Sequence, residues 1–296
     1  MTEIMYRPPF EAGSFLLEVT KGCSHNQCSF CTMYKDIPFR VVNIEDVEAQ
    51  LKDAAIYKDC VDRVFLENGD AFVLSANRLK EIAELVYMYL PRTKTIAMYA
   101  SINNIRGKTD GELKELRQVG INELNIGVES GYDEALKYMN KGYNSEQAVF
   151  ELNRLKNAGI SYGANIILGC AGPKKRKENA IATAKLLNET KPYLIFTGTI
   201  HADPGCPLYN DLNNGIFTES TFGEYLDEEE LLLSLLDIDE CFYFGLHPSN
   251  VVTMQGMLKK DKETLLKEIR RKREELKDHL DQKPIRYGEG AIINIP

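Results

Sequence analysis

The chain has 296 residues, of which 44% are hydrophobic, and it carries 36 Lys and Arg against 44 Asp and Glu. This composition argues against disorder, and the net charge of −8 argues against a broad surface that binds nucleic acid or membranes by charge. No apolar stretch approaches the roughly 18 residues of a spanning helix, and the start MTEIMYRPPF lacks the features of a signal peptide. We therefore expect a cytoplasmic protein with no membrane partner, whose seven cysteines stay reduced.

Short apolar runs rich in β-branched residues alternate along the chain with amphipathic stretches. This alternation predicts βα units with a parallel sheet. The predicted strands are residues 14–20, 63–67, 95–100, 123–128, 162–168 and 193–200, and the predicted helices between them are residues 44–57, 76–90, 110–120, 145–159 and 177–189. Successive units of this kind predict an α/β fold, a partial (β/α)6 barrel similar to a TIM barrel, in which the chemistry lies at the C-terminal ends of the strands.

The pattern changes after residue 205. Residues 227–238 predict a helix with an acidic start, and residues 262–282 predict a long and highly charged helix. No linker rich in Pro, Gly or Ser separates this region from the preceding units. We therefore expect a barrel domain over residues 1–210 and a helical C-terminal extension over residues 211–296 that packs on it.

Three cysteines stand close together in KGCSHNQCSFCTMYKD, directly after the first predicted strand. Cys23, Cys28 and Cys31 have the spacing C-x4-C-x2-C, and the other four cysteines are isolated. Three thiolates suit a [4Fe–4S] cluster with one iron left open for a substrate or cofactor. A structural zinc site usually has four ligands and a second Cys or His pair. A zinc loop that uses His25 as the fourth ligand is the alternative, and it would make the chain a zinc-stabilised binding protein without catalysis.

This loop resembles the cluster loop of the radical S-adenosylmethionine superfamily, which has the pattern C-x3-C-x-aromatic-C after the first strand of a partial barrel. CSFC, with Phe30 in the aromatic position, matches, whereas the gap between Cys23 and Cys28 is one residue longer. The resemblance implies two cofactors, a [4Fe–4S] cluster and S-adenosylmethionine, which is cleaved reductively to a 5′-deoxyadenosyl radical that abstracts hydrogen from a substrate. It also implies sensitivity to oxygen and a reductant protein such as ferredoxin or flavodoxin.

The resemblance extends to the ends of the second and third strands. Asn68, Gly69 and Asp70 stand where the family has a Gly-Gly-Glu segment that binds the methionine amino group. Taken alone, the Asn-Gly pair equally predicts an ordinary turn. Ser101 and Asn103, which follow the third strand, carry polar groups that suit the ribose hydroxyls.

The later strands resemble the branch that contains oxygen-independent coproporphyrinogen oxidase and the elongator-type enzymes. Residues 125–148 match a segment of this branch, which implies that Glu129 contacts ribose and Lys141 the methionine carboxylate. The fifth strand and the loop after the sixth strand also match. The further residues implied to contact ribose or adenine are Ser130, Asn165, Ile167, Thr199 and Ile200.

Three residues beyond the fifth and sixth strands are candidates for catalysis on the substrate: His201, Cys170 and Cys206. His201 suits an acid or base and equally fits a structural role. The cysteines suit a hydrogen-atom donor or, with Cys241, a second cluster, but lone cysteines are more commonly small buried residues. The basic runs at 173–179 and 269–277 do not indicate nucleic acid, because glutamates interleave the second run. We expect a small-molecule substrate, with RNA or a peptide as the alternative; the sequence leaves the reaction itself open.

Overall fold

The structure is a computed structural model that describes residues 6–287 and 290–293, so the first five residues of the N-terminal stretch considered above lie outside it. Its strands are β1 (Phe15–Glu18), β2 (Thr20–Lys21), β3 (Arg40–Val41), β4 (Arg63–Glu67), β5 (Thr95–Ala100), β6 (Ile121–Glu129), β7 (Ser161–Leu168), β8 (Leu194–Thr199), β9 (Phe242–Phe244), β10 (Gln255–Met257), β11 (Arg286–Tyr287) and β12 (Ala291–Ile292). Its α-helices are α1 (Ile44–Ala54), α2 (Ala76–Tyr89), α3 (Ile102–Arg106), α4 (Asp110–Gln118), α5 (Asp133–Tyr138), α6 (Ser145–Ala158), α7 (Arg176–Thr190), α8 (Pro207–Asn213), α9 (Phe222–Leu235) and α10 (Leu258–Glu275).

The chain divides into two compact units that do not follow the order of the sequence. The first unit comprises Met1–Asn26, Tyr34–Gly127 and Phe150–Tyr162. The second unit comprises Gln27–Met33, Val128–Val149 and Gly163–Pro296. The boundary predicted at residue 210 stays a prediction.

The first unit contains a parallel sheet in the order β1-β4-β5-β6. Its helices alternate with these strands along the chain, and two of them begin at side-chain caps: the Ser75 hydroxyl accepts the N–H of Arg78 at α2, and Thr109 forms a capping box with Glu112 at α4. Helix α1 packs on β1 and on α2. The alternation of strands and helices confirms the predicted α/β class.

The second unit contains β7, β8 and β9 in parallel, with β10 antiparallel to β9. Helix α9, which begins with a capping box at Thr221, packs against both α7 and α10. The two helices predicted after residue 210 are therefore present, and the same region also supplies β9 and β10 to the sheet of this unit. No helix in the described part of the chain combines the length and the apolar character needed to cross a bilayer.

Candidate cofactor site

Two glycines fix the backbone around Cys23 in the first unit. The N–H of Gly69 donates to the carbonyl of Gly22 at 3.1 Å. Gly22 has a φ of +73°, and a Cβ built on it would lie 2.7 Å from the carbonyl oxygen of Ile37. A Cβ on Gly69 would lie 2.7 Å from the Cβ of Cys23. The turn after β2 and the turn after β4 therefore meet at a distance that only glycine allows.

The neighbours of Gly69 also bind this loop. Asn68 adopts a φ of +76° and its side-chain amide donates to the carbonyl of Thr20 at 2.7 Å. The Asp70 carboxylate accepts a hydrogen bond from the Ser24 N–H at 2.9 Å and another from the Ser24 hydroxyl. Burial raises the pKa of Asp70, against the opposing effect of these hydrogen bonds. Asp70 thus anchors the residue that follows Cys23, while its predicted contact with the methionine amino group stays a prediction.

A cavity of about 380 Å³ in the first unit brings the cysteine loop together with the segment after β5. Ser24 and His25 line it from the loop, and Ser101 and Asn103 line it from the other side. Ser101 is also the N-cap of α3, because its hydroxyl accepts the N–H of Asn104 in a capping box. The two residues predicted after the third strand therefore border the same space as the loop that contains Cys23.

In the second unit, Glu129 and Lys141 form a buried ion pair. The Lys141 Nζ lies 2.9 Å from the Glu129 Oε1, and the two side chains are only 9% and 10% exposed. Burial disfavours the charge on Lys141, but the Glu129 carboxylate and, with it, Tyr143 and Cys28 raise the pKa of Lys141 well above its usual value. Glu129 and Lys141 are thus partners of each other, although the family resemblance implies that they contact ribose and the methionine carboxylate. The lysine keeps its positive charge.

The CSFC part of the cysteine loop packs next to this ion pair. Phe30 lies with its ring centroid 6.0 Å from the Lys141 Nζ. The N–H of Ser29 donates to the carbonyl of Met139 at 3.1 Å, and its carbonyl accepts the N–H of Leu208 at 2.9 Å. These bonds attach the segment that contains Cys28 and Cys31 to the end of α5 and the start of α8.

A fully buried polar network begins at Ser130, the residue that follows Glu129. The Ser130 hydroxyl donates to the side-chain Oδ1 of Asn179 at 2.5 Å and accepts the N–H of Tyr132 at 2.8 Å. Asn179 donates to Glu228 Oε1 at 2.6 Å, and the second oxygen of Glu228 accepts the N–H of Gly169 at 3.1 Å. The predicted contact of Ser130 with ribose stays a prediction, since its hydroxyl is engaged here. Sequence reasoning missed Asn179 and Glu228, because both lie on helices far along the chain from Ser130.

Four further residues predicted to contact ribose or adenine lie in β7 and at the end of β8. Asn165 and Ile167 are half-buried on one face of β7. The Thr199 N–H donates to the Ser249 hydroxyl at 3.0 Å, and the Ile200 N–H donates to the carbonyl of Leu168 at 2.8 Å. These two N–H groups therefore have partners within the second unit, and the predicted pairing with adenine stays a prediction.

The three candidates for substrate chemistry differ in burial. The His201 Nε2 lies 3.6 Å from Asp203 Oδ2, and burial lowers the pKa of His201 more than Asp203 raises it. Cys170 and Cys206 are fully buried, and burial, followed by the charges of Glu228 and Glu129, raises the pKa of Cys170 well above its usual value. The thiol of Cys170 is therefore protonated near neutral pH.

None of the seven cysteines, all of which lie within the described residues, forms a disulfide, and Cys23, Cys28 and Cys31 are half-buried. Within residues 6–287 and 290–293, no three His, Cys, Asp or Glu side chains are grouped as a ready metal site. The chemistry of the donor set fits an iron–sulfur cluster, because reduced and accessible thiols are what such a cluster requires. The assignment of these cysteines as ligands stays a prediction.

Comparisons with known proteins place this arrangement in a family. The model of the Radical SAM superfamily matches residues 17–187. The heme chaperone HemW of Bacillus subtilis (strain 168) is 22% identical over 154 residues, which cover 51% of this chain and 40% of HemW. The crystal structure of methylornithine synthase has a TM-score of 0.53 at 16% identity, over 92% of this chain and 83% of that one. The archaeal Elp3 of Methanocaldococcus infernus has a TM-score of 0.52 at 16% identity, over 79% and 58%.

The structural likeness shows the fold, and it confirms the predicted partial barrel. The chain spans well under half the length of HemW, so HemW as a whole is not a guide to the activity of this chain. The family model covers more than half of the 296 residues, and it favours the iron–sulfur enzyme over the zinc-stabilised binding protein. The chain belongs to the radical S-adenosylmethionine superfamily and is an enzyme whose cofactors are a [4Fe–4S] cluster and S-adenosylmethionine.

Proposed function

We propose that Cys23, Cys28 and Cys31 bind the [4Fe–4S] cluster and that the enzyme abstracts hydrogen from a small-molecule substrate. The observation that carries the assignment of the cluster loop is the close contact of Gly69 with Gly22 and Cys23. This contact joins the first cysteine to the segment that resembles the cofactor-binding Gly-Gly-Glu sequence. No other cysteine has neighbours in sequence that would complete a three-thiolate site.

The cluster, when bound and reduced, supplies the electron that cleaves S-adenosylmethionine and so produces the hydrogen-abstracting radical. The share of this chain is to bind and orient the cofactor. Lys141 offers a permanent positive charge to the methionine carboxylate, and Asp70 offers a carboxylate to the amino group. Both residues lie beside parts of the cysteine loop, Asp70 at Ser24 and Lys141 at Phe30. Contacts to ribose and adenine are assigned to Ser101, Asn103, Glu129, Asn165 and the backbone at Thr199 and Ile200.

Anaerobic reconstitution with iron and sulfide tests the ligand assignment. We expect about four irons per chain in the wild type, and 5′-deoxyadenosine once S-adenosylmethionine and dithionite are added. Cys28→Ala should abolish cluster binding. Cys60→Ala is the matched control, because Cys60 is an exposed free thiol outside the loop. Equal loss of iron in both variants would show that the ligands are wrong, and a colourless wild-type protein that holds one zinc would contradict the cluster itself.

A small-molecule substrate is preferred over RNA because several cations of the basic runs are paired with acidic side chains. On α10, Arg271 pairs with Glu268 and Glu275. In the 173–179 run, Lys175 pairs with Glu178. Paired surface cations of this kind offer little net charge to a phosphate backbone. A peptide substrate stays an alternative. The same proposal includes a cytoplasmic location, sensitivity to oxygen and a ferredoxin or flavodoxin as the reductant partner.

A further inference from the structure

Four polar side chains stand in one row across the sheet of the first unit. The strand register pairs Glu18 of β1 with Glu67 of β4, and Tyr99 of β5 with Asn125 of β6. The residues that precede Glu67 and Tyr99 also pair with each other, so the next step along both strands places Glu67 beside Tyr99. We call Glu18, Glu67, Tyr99 and Asn125 the polar row.

The polar row lies on one face of the sheet. Side chains alternate along a strand, so Phe65 and Glu67 share a face of β4. The rings of Phe65 and Tyr99 meet edge to face with centroids 5.3 Å apart, which confirms that Tyr99 lies on that face. The residues that alternate with this row and point to the opposite face are apolar and fully buried: Leu17, Val64, Leu66, Met98 and Leu124. The polar residues are therefore not scattered but concentrated on one side.

Polar groups at the start of the strands on this same face are paired. The Arg63 guanidinium donates to Glu11 at 2.6 and 2.8 Å and to Glu123 at 2.8 Å. The polar row, nearer the C-terminal ends, is different. Asn125 is 0% exposed, and neither atom of its side-chain amide has a hydrogen-bond partner among the residues that the structure describes. A buried amide without a partner weakens a fold, so a purely structural role does not explain Asn125.

Glu67 is equally unusual. It is 4% exposed, and its carboxylate has two charged neighbours, Glu18 and Arg7. Burial, with a further contribution from Glu18, raises the pKa of Glu67 to about 7, and the exposed Arg7 opposes this only in part. Glu18 lies 3.5 Å from the Lys21 Nζ, at the edge of the row. Within residues 6–287 and 290–293, no cation lies close enough to the Glu67 carboxylate to offset its burial.

We propose that the polar row binds an amino group of the substrate. A protonated amine donates to the carboxylate of Glu67 and to the side-chain carbonyl of Asn125, two acceptors of the polar row that have no close partner among the described residues. The Asn125 N–H groups and the Tyr99 hydroxyl then contact a second polar group of the same molecule. The identification of this molecule as the substrate rests on the proposed function, whereas the recognition of an amine by the polar row does not.

The position of the polar row in the first unit agrees with such a role. Glu67 directly precedes Asn68, and Tyr99 lies two residues before Ser101, so the row ends where the predicted cofactor contacts begin. In barrels of this kind, substrates bind at the C-terminal ends of the strands.

Ligand-detected NMR on the anaerobically reconstituted enzyme, with S-adenosylmethionine present, tests the proposal. The probes are matched by length and differ in charge: butylamine against butyrate, and cadaverine against glutarate. We expect saturation transfer to at least one amine and none to the carboxylates. Glu67→Gln and Asn125→Leu should weaken amine binding about tenfold or more, because each removes an acceptor for a charged donor. Glu84→Gln, on the exposed side of α2, is the matched control.

Three outcomes would overturn the proposal: no amine probe binds, the carboxylates bind as well as the amines, or amine binding is the same in Glu67→Gln and Glu84→Gln. Iron content and thermal unfolding show whether each variant is folded. If Glu67→Gln or Asn125→Leu does not fold, the binding of cadaverine to Tyr99→Phe decides. This variant removes one hydroxyl, and it should still weaken the binding of cadaverine, which has two polar groups. Failure of the wild type to form 5′-deoxyadenosine would count against the proposed function and not against amine recognition.

Discussion

The Glu228 carboxylate accepts a hydrogen bond from the side-chain amide of Asn179 at 2.6 Å, and this buried contact joins α9 to α7. Through Asn179 it also orders Ser130, the residue after Glu129. Its other oxygen fixes the turn at Gly169, where a φ of +77° and the nearby ring of Tyr225 exclude a side chain. A residue predicted only as part of an acidic helix start therefore supports both Ser130, which is predicted to contact the cofactor, and the turn before Cys170.

The first prediction concerns the loss of this carboxylate. Glu228→Ala leaves the Asn179 amide and the Gly169 N–H buried without an acceptor, and each such group costs about 1–3 kcal/mol. We expect the free energy of unfolding in urea to fall by about 2–6 kcal/mol, which is the sum over these two groups. Glu230→Ala is the control, because Glu230 pairs with Arg270 near the surface and such a pair contributes less than about 1 kcal/mol. A loss in Glu228→Ala no larger than in the control would contradict the role of the network.

The second prediction concerns pH. Burial raises the pKa of Glu228 and of Glu229 to about 7, against about 4.5 for an exposed glutamate. Between these two values the folded chain keeps protons that the unfolded chain releases, so stability should fall as pH rises from about 4.5 to 7 and level off above it. Each group contributes roughly 3 kcal/mol at most to this fall.

Urea titrations at several pH values measure how the free energy of unfolding changes with pH and so check the predicted slope. Glu229→Gln, which keeps an acceptor for the Tyr243 hydroxyl, should flatten it. The exposed Glu263→Gln should not change it. An unchanged slope in Glu229→Gln would mean that this carboxylate is already ionised at pH 5 in the folded protein.

The third prediction concerns the ion pair of Glu129 and Lys141. Lys141→Met leaves the buried carboxylate of Glu129 without its cation, and removal of one partner from such a pair costs about 3–5 kcal/mol. The double variant Glu129→Gln/Lys141→Met removes both charges and should recover a large part of that stability. Affinity for S-adenosylmethionine, measured by isothermal titration on the reconstituted protein, should not recover, because the methionine carboxylate still lacks its cation. Recovery of both quantities would show that Lys141 is only structural.

The sequence predicts the strands and long helices of this chain because their signals are local. β4 is a run of apolar residues between polar ones, and α4 begins at a Thr-x-x-Glu capping box. α3, α5 and α8 are harder to predict, since helices of five to seven residues are too short to show a period of 3.6.

The site residues likewise differ in whether a local pattern of the sequence predicts them. Cys23, Cys28 and Cys31 are visible because their spacing is a local pattern. The polar row is not visible, because it depends on the register between strands that are dozens of residues apart, and a shift of one residue would move Glu67 to the other face. Asp70 is intermediate: the sequence predicts its carboxylate at the end of β4, but its hydrogen bonds to Ser24 follow only from the tertiary structure.

The last prediction concerns the contact of the two glycines at Cys23. Gly69→Ala adds a Cβ that would lie 2.7 Å from the Cys23 Cβ and 2.9 Å from the ring of Tyr34, so the loop must move away. We expect iron content after reconstitution to fall below half of the wild-type value, with far-UV circular dichroism unchanged. Gly13→Ala is the matched control, because nothing lies within 4 Å of its added Cβ and it should bind iron normally. If Gly69→Ala also binds iron normally, the approach of the β4 turn to Cys23 is not needed for cluster binding, and the observation that carries the ligand assignment is lost.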